Sequence, residues 1–593
     1  MTIDHRTELL FTDMSAIFGS ADNLSTHPYQ GKWQCVPYKH KDFEGTMVYS
    51  GSSKPQNLSF DPQLTGWYKI YVGIMLKTGL DLKLSGDPCF FHHEGSRNHK
   101  SLPGNYFEES LWRMADLTGQ SIQISTNNIQ IPHETSLTHL RFVPMTEEEV
   151  AALLADDARQ DTKRIYASDD IHNVLYFHDI QKMEDFFSVV TAYEHSDVEW
   201  IAMEENRAQG RGVYQEDYSY PREGDRNFVR NLNRCDMDQV YKALVDLGHE
   251  KGYKMSISLR MGAWGMGFHH EGALENDFAR EHPEFRCVDR NGEEFFALSY
   301  AYPEVQDYII QTLIRSAKSG CDAVTLIGHR GYPYVLFEKP VADRFYAQYG
   351  EYPYELPLDE PRLRALHCEI MTEFARKLRN ALDEAYGKNK VEIHLRTLYS
   401  IEDTLKYALD AESWAKEGLI TTIVSYPMCH QDKLEGCFRE DAPDRIDLEK
   451  YTAYIYEMGR ETVKHLDPDI WELRIKNSPL LEGVISEEDR IAQWNALEDQ
   501  YGVKVYIELM DRLHPNALYR QRLLELYQTG ARRIAYWDTC VRRWSGSMWN
   551  VARLGGHTPE EIQNIDADAD WKIYRPIHLG NYHIGLYSPT WGG

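Results

Sequence analysis

The stretch Val503-Lys504-Val505-Tyr506-Ile507-Glu508-Leu509 decides the fold. Successive side chains on a strand point to opposite faces. One face here is wholly aliphatic and the other carries Lys504, Tyr506 and Glu508. An aliphatic face suits packing under helices, and the second face must then line an interior. The same parity recurs in Val391-Glu392-Ile393-His394-Leu395-Arg396 and in Met255-Ser256-Ile257-Ser258-Leu259-Arg260. Glu392, His394, Arg396, Ser258 and Arg260 join the inward set. Buried charges are costly unless paired, so an axis this polar is either a site or an ion-pair network.

Working outward, eight apolar strands are predicted at 173–179, 198–204, 253–260, 323–329, 391–396, 420–426, 503–509 and 533–538. Helical patterns separate them at 236–251, 303–319, 362–386, 401–417 and 516–529. Pro303 opens one helix, and Gly252, Gly320, Gly418 and Gly530 follow the ends of others, as helix punctuation requires. Eight alternating units give an α/β fold, a (β/α)8 TIM barrel over 171–557. One strand-like segment, 471–482, is read as an insertion. Residues 1–150 differ. Runs such as 45–49, 66–74, 82–84, 121–124 and 140–143 alternate with period two between Gly, Pro and Asn breaks, which predicts an N-terminal all-β sandwich. That domain is either structural or carbohydrate-binding. Residues 151–170 read as a linker, and 558–593 as a β-like extension returning to the sandwich or closing one end of the barrel.

Composition limits the partners. The 593 residues carry a net charge of −28, which argues against nucleic acid or an anionic membrane. Nine scattered cysteines without a CxxC pair suit reduced thiols. No basic-then-apolar leader and no apolar run near 18 residues is seen. A cytoplasmic protein is therefore expected, and a homo-oligomer is compatible with it. The 38 Tyr and 13 Trp suit either a stacking ligand such as sugar or a large core.

In barrels of this kind, chemistry sits at the carboxyl ends of the strands. Those ends offer Asp179, Glu204 with Glu205, Arg260, His329 with Arg330, Arg396, Tyr426, Glu508, and Trp537 with Asp538. Aromatics crowd the following loops, among them Tyr214, Trp264, Phe268, Tyr332, Trp544 and Trp549. Rings beside carboxylates are what a sugar site needs. Glycosidic cleavage normally uses two carboxyl groups, about 5–5.5 Å apart for retention or about 6.5–9.5 Å for inversion.

Several segments carry a resemblance. Residues 277–292 (DFAREHPEFRCVDRNG), 301–308 (AYPEVQDY), 321–323 (CDA), 410–420 (DAESWAKEGLI) and 535–538 (AYWD) resemble bacterial family-10-like glycoside hydrolases. The resemblance spans roughly 170–557 and implies a carbohydrate-active (β/α)8 enzyme. Those relatives commonly end the fourth strand with an acidic residue. Here Thr325-Leu326-Ile327-Gly328-His329-Arg330 has none, so an acid or base placed there does not transfer.

Glu508 is therefore the leading catalytic candidate, as nucleophile or base. Asp538, Glu204 and Glu205 are candidate acids. Arg260, His329, Arg330, His394, Arg396, Trp264, Tyr426, Trp537 and Asp179 are candidate substrate contacts. Each has a structural alternative: Glu508 pairing with Arg260 or Arg396, Asp538 capping a turn or binding Arg542 or Arg543. The three arginines ending strands three to five suit either an anionic (uronic or sulfated) sugar or charge balance. His269-His270-Glu271 lacks the i, i+4 geometry of a helical metal pair, so no metal and no cofactor is expected. The expected activity is a glycosidase acting on an oligosaccharide. The alternatives are a catalytically inactive carbohydrate-binding barrel and a metal-assisted lyase or isomerase acting on sugars.

Overall fold

The computed structural model describes residues 7–19, 22–28, 31–51, 55–76, 78–95, 106–126, 134–178, 180–204, 223–262, 264, 276–329, 333–426, 438–439, 442–446, 485–509, 516–537, 539–567 and 569–580. Eight parallel strands close into a barrel. They are β1 (Ile165–Asp169), β2 (Val198–Glu204), β3 (Lys254–Arg260), β4 (Ala323–Ile327), β5 (Glu392–Thr397), β6 (Thr422–Ser425), β7 (Lys504–Glu508) and β8 (Ile534–Tyr536). Closure is made by β1 pairing with β8, Ile165 opposite Ile534 and Ala167 opposite Tyr536.

The first strand differs from expectation. The barrel begins at Ile165, inside the stretch expected as linker. The apolar run expected as a strand from 173 is the helix Ile171–Phe177. It buries Ile171, Val174 and Leu175, which is i, i+3, i+4 spacing and therefore one helical face. Short apolar runs of this kind do not distinguish helix from strand. The helix expected over 401–417 is also two helices, Ile401–Lys406 and Ala411–Lys416, separated at Ala408 with φ of 61°. The strand-like segment 471–482 lies outside the described residues.

Val505, Ile507, Ile393, Leu395, Ile257 and Leu259 face outward into the cluster shared with the helices. Tyr166, Trp200, Ala202, Ala323, Val424, Tyr506 and Ala535 fill the interior. The alternation is what a barrel requires, with side chains in layers rather than a pore.

The N-terminal residues form two antiparallel-rich sheets. One has five strands and the other nine, two of them lying off its main path. Their facing sides bury Trp33, Val48, Ile70, Val72, Leu82 and Phe142. The chain end returns here. Trp571–Tyr574 pairs antiparallel with Phe107–Asp116, and His578–Leu579 pairs with Trp33–Lys39, so the last segment adds an edge to each sheet. Backbone bonds also tie the sandwich to the barrel: Glu94 N donates to Trp544 O at 2.7 Å. Among the described residues no helix is long and apolar enough to cross a membrane. Cys35, Cys89, Cys235, Cys287, Cys321 and Cys368 are free thiols.

Candidate active site at the barrel mouth

The barrel axis is layered by chemistry. At the amino end, Glu199 accepts from Lys254 at 2.8 Å, from Lys504 at 3.1 Å and from the Tyr506 hydroxyl at 2.5 Å. Burial works to raise the Glu199 carboxyl, but these bonds prevail and hold it below its ordinary range. Thr421 donates to Glu392 at 2.6 Å and His394 lies 3.2 Å from it. Burial opposes ionisation of Glu392 as well, and the contacts with His394, Thr421 and Lys254 together outweigh it, bringing the carboxyl to about 2. Lys504 and Glu392, both inward by parity, thus close the bottom.

The middle layer is packed. The His394 ring sits 4.5 Å from Trp200 and its Nδ1 is 3.1 Å from the Tyr166 hydroxyl. Tyr166 in turn pairs with Thr325 at 2.7 Å. Burial holds the imidazole below its ordinary value. His394 was expected among the substrate contacts. The structure places it one layer deeper, fully buried among aromatic rings, because its strand position is two residues before the mouth.

The carboxyl end gathers a different set. Arg396 donates through Nη2 to Glu508 Oε2 and through Nη1 to Ser168 Oγ at 2.5 Å. Glu508 Oε1 accepts the Trp537 backbone N–H at 2.6 Å. Arg542 Nη2 lies 3.9 Å from that same oxygen. Arg260 Nη2 donates to Glu204 Oε2 at 2.9 Å and to Asp170 Oδ2 at 3.0 Å. Its Nε also pairs with Glu204. The rings complete the rim. His329 lies 4.0 Å from Tyr426 and 4.9 Å from Trp537, centroid to centroid. The Arg396 guanidinium sits 4.6 Å from the Trp537 ring centroid. A shallow surface depression is lined by Ser168, Asp169, Asp170, Glu204, Ser258 and Trp537.

Each strand thus contributes one end group: Asp170, Glu204, Arg260, His329, Arg396, Tyr426, Glu508 and Trp537. Asp170 is not among the residues expected from sequence, because it follows a strand that lies within the expected linker 151–170. The signal was present: Ile165-Tyr166-Ala167-Ser168-Asp169 alternates, and Asp170 falls on the parity of Tyr166 and Ser168. Trp264 is not at the mouth. It packs outside the barrel against Phe278 and Tyr308 at 6.4 and 6.0 Å. Asp179, Glu205, Arg330 and Asp538 lie outside the described residues, as do His269, His270, Glu271, Tyr214, Phe268 and Tyr332. Among the described residues no group of three His, Cys, Asp or Glu side chains is arranged to hold a metal ion.

Asp170 and Glu204 line the depression and share the Arg260 guanidinium, while Glu508 is held by Arg396 and the backbone of Trp537, which also lines it. Buried ion pairs of this quality fix side-chain orientation. They also remove the arginines' forks from use by an external anion.

No family model matches the chain, and no curated protein matches it by sequence. Solved structures similar to it include the PgaB (BpsB) glycoside hydrolase domain from Bordetella bronchiseptica. It shares 10% identity, with 64% of this chain and 94% of that chain covered and a TM-score of 0.36. The catalytic domain of beta-amylase from Paenibacillus polymyxa gives 8% identity, 68% and 99% coverage and a TM-score of 0.39. TtGalA, an alpha-galactosidase from Thermus thermophilus, gives 9% identity, 89% and 95% coverage and a TM-score of 0.33. The barrel assignment rests on the chain's own strand pairing.

Proposed function

We propose that the chain is a glycoside hydrolase that cleaves a glycosidic bond in an oligosaccharide at the barrel mouth. The observation that carries this reading is the set of three carboxylates at strand ends, Glu508, Glu204 and Asp170, held by Arg396 and Arg260 beside the rings of Trp537 and Tyr426. Glu508 is the nucleophile or base. Its two oxygens are already oriented by a guanidinium and a backbone amide, which is the preorganisation that attack or water activation needs. Glu204 or Asp170 gives the proton to the departing oxygen. Glu205 and Asp538, the neighbours of Glu204 and Trp537 in sequence, remain candidate acids. Trp537, Tyr426 and His329 bind the sugar ring by stacking and hydrogen bonding. The engagement of Arg260 and Arg396 by carboxylates favours a neutral sugar over a uronic or sulfated one. The family-10-like resemblance is in accord with this activity.

A carbohydrate-binding barrel without turnover is the second reading, motivated by His329 standing where such enzymes place a carboxylate. The deciding experiment incubates purified protein with neutral, uronic and sulfated oligosaccharides and follows products by mass spectrometry, with Glu508→Gln alongside. A product that disappears in the variant is expected. Calorimetric binding that is lost on Trp537→Ala, without any product, would instead establish the second reading.

A further inference from the structure

A cleft distinct from the barrel mouth lies among the described residues. It is an open groove between the sandwich and the barrel, with an enclosed volume of about 140 Å³. Phe91 and Trp112 line it from the sandwich, and His178, Trp544, Trp549 and Asn550 line it from the barrel. Domain boundaries are a preferred place for ligand pockets.

The charged side chains on its walls are engaged within the protein. Asp81 lies 2.9 Å from His92, Arg113 donates to Asp87 at 2.8 Å, and Lys251 donates to Glu194 at 2.9 Å. Arg543 donates to Asp169 at 2.5 Å, and His195 lies 2.6 Å from Asp157. Two neutral groups differ. Asn550 is 8% exposed, and its amide nitrogen is buried without a hydrogen-bond partner. An orphaned buried donor in a native structure calls for an explanation. The His178 imidazole touches the His92 and Trp544 rings at 6.1 Å each. Burial brings it to about 4, so it is neutral at pH 7.

Unspent hydrogen bonding that is neutral, set among indole and phenyl rings, selects a ligand with apolar C–H faces and hydroxyl or amide acceptors. We infer that this interdomain cleft is a second, non-catalytic binding site for a neutral saccharide. The site is independent of hydrolysis at the mouth, since its residues are separate from that set.

The test is calorimetric titration of the full-length chain, carrying Glu508→Gln to suppress turnover. The probes are neutral hexasaccharides of glucose, xylose, galactose and N-acetylglucosamine, with a sulfated oligosaccharide as contrast. Trp112→Ala and, separately, Asn550→Leu are expected to weaken binding of a neutral probe at least tenfold. Both changes should leave thermal unfolding cooperative and, in the otherwise unchanged chain, leave any hydrolysis of a short substrate intact. A neutral probe whose binding survives both substitutions overturns the inference, as does preference for the sulfated probe or no binding at all. If hydrolysis fails everywhere but Trp112-dependent binding remains, the mouth assignment falls and the cleft stands.

Discussion

The Trp537 backbone N–H donates to Glu508 Oε1 at 2.6 Å, so the carboxylate ending β7 is positioned by the residue following β8. The bond survives substitution by Gln, whose carbonyl oxygen can accept it. Glu508→Gln therefore tests the charge and not the scaffold. Turnover is expected to fall by roughly 10²–10⁴-fold or more, the range for losing an acid, base or nucleophile. Steady-state kinetics with a thermal melt beside them check this. Undiminished activity would remove Glu508 from the mechanism.

Arg396 and Glu508 are each almost wholly buried, at 1% and 2% exposure. Removing one partner leaves an uncompensated charge in the interior, which costs about 3–5 kcal/mol, whereas replacing both with apolar groups is often close to neutral. Arg396→Met alone is expected to lower stability by that amount. The double change Arg396→Met with Glu508→Met should recover most of it. Denaturant titration of the four chains gives the coupling. Additive losses would mean that the contact contributes orientation without stability.

Glu204 and Asp170 share Arg260, so they divide the acid role between them in one of two ways. An acid is needed most when the leaving group is poor. Replacing it should cost little on an activated aryl glycoside and about 10²-fold or more on the natural linkage. Glu204→Gln and Asp170→Asn assayed on both substrate types should therefore separate. The acid is the one whose loss depends on the leaving group. Equal behaviour of both variants on both substrates would place the acid elsewhere.

The sequence carried most of this arrangement wherever parity was clean. Val505 and Ile507 alternate with Tyr506 and Glu508, and one buried aliphatic face leaves only one way to set the strand. The same holds for Arg396 and Arg260. What parity could not supply was depth. His394 and Arg396 share a face, yet one residue pair along the strand separates a packed layer from the mouth. The first strand was hidden for another reason. Ile165–Asp169 is short and half polar, while the helix behind it is the more apolar run, so hydrophobicity pointed to the wrong element and Asp170 was lost with it. Nor could sequence disclose the cleft beside Asn550, which exists only because two domains meet.

Stability should depend on pH through buried neutral imidazoles. Burial lowers His93 to about 3, with His92 adding to the shift, and it lowers His178 and His367 to about 4. In the unfolded chain these groups take up protons near 6.5, the ordinary value, while the folded protein does not. Their contribution is full above about pH 6.5 and is lost as pH falls toward about 4. His92 acts oppositely. Burial disfavours its charge, but Asp81 and Glu94 raise it to about 9, so its contribution is full below about pH 6.5 and fades as pH rises through 9. The melting temperature should thus decline on the acid side. His367→Gln, which can still donate to Leu336 O, now 2.8 Å from Nε2, should make that decline shallower. An unchanged acid slope would exclude His367 as a contributor.

The junction between sandwich and barrel has a steric signature at Gly546, the first residue of the helix Gly546–Ala552. A Cβ there would stand 2.7 Å from Ser110 Cβ and 2.8 Å from Leu111 O. Leu111 O is backbone within the strand Phe107–Asp116, which is paired on both sides by Trp67–Met75 and Trp571–Tyr574. It cannot move as a side-chain tip could. Gly546→Ala must therefore shift helix against strand, and such overpacking costs about 1–3 kcal/mol. The helical propensity of Ala works the other way by up to about 1 kcal/mol and does not cancel the clash at its upper range. The expected result is a lower unfolding midpoint. Greater protease susceptibility should accompany it between residues 145 and 165, where the sandwich passes into the barrel. A midpoint equal to that of the unchanged chain would mean that the two domains slide past each other at this contact at no cost.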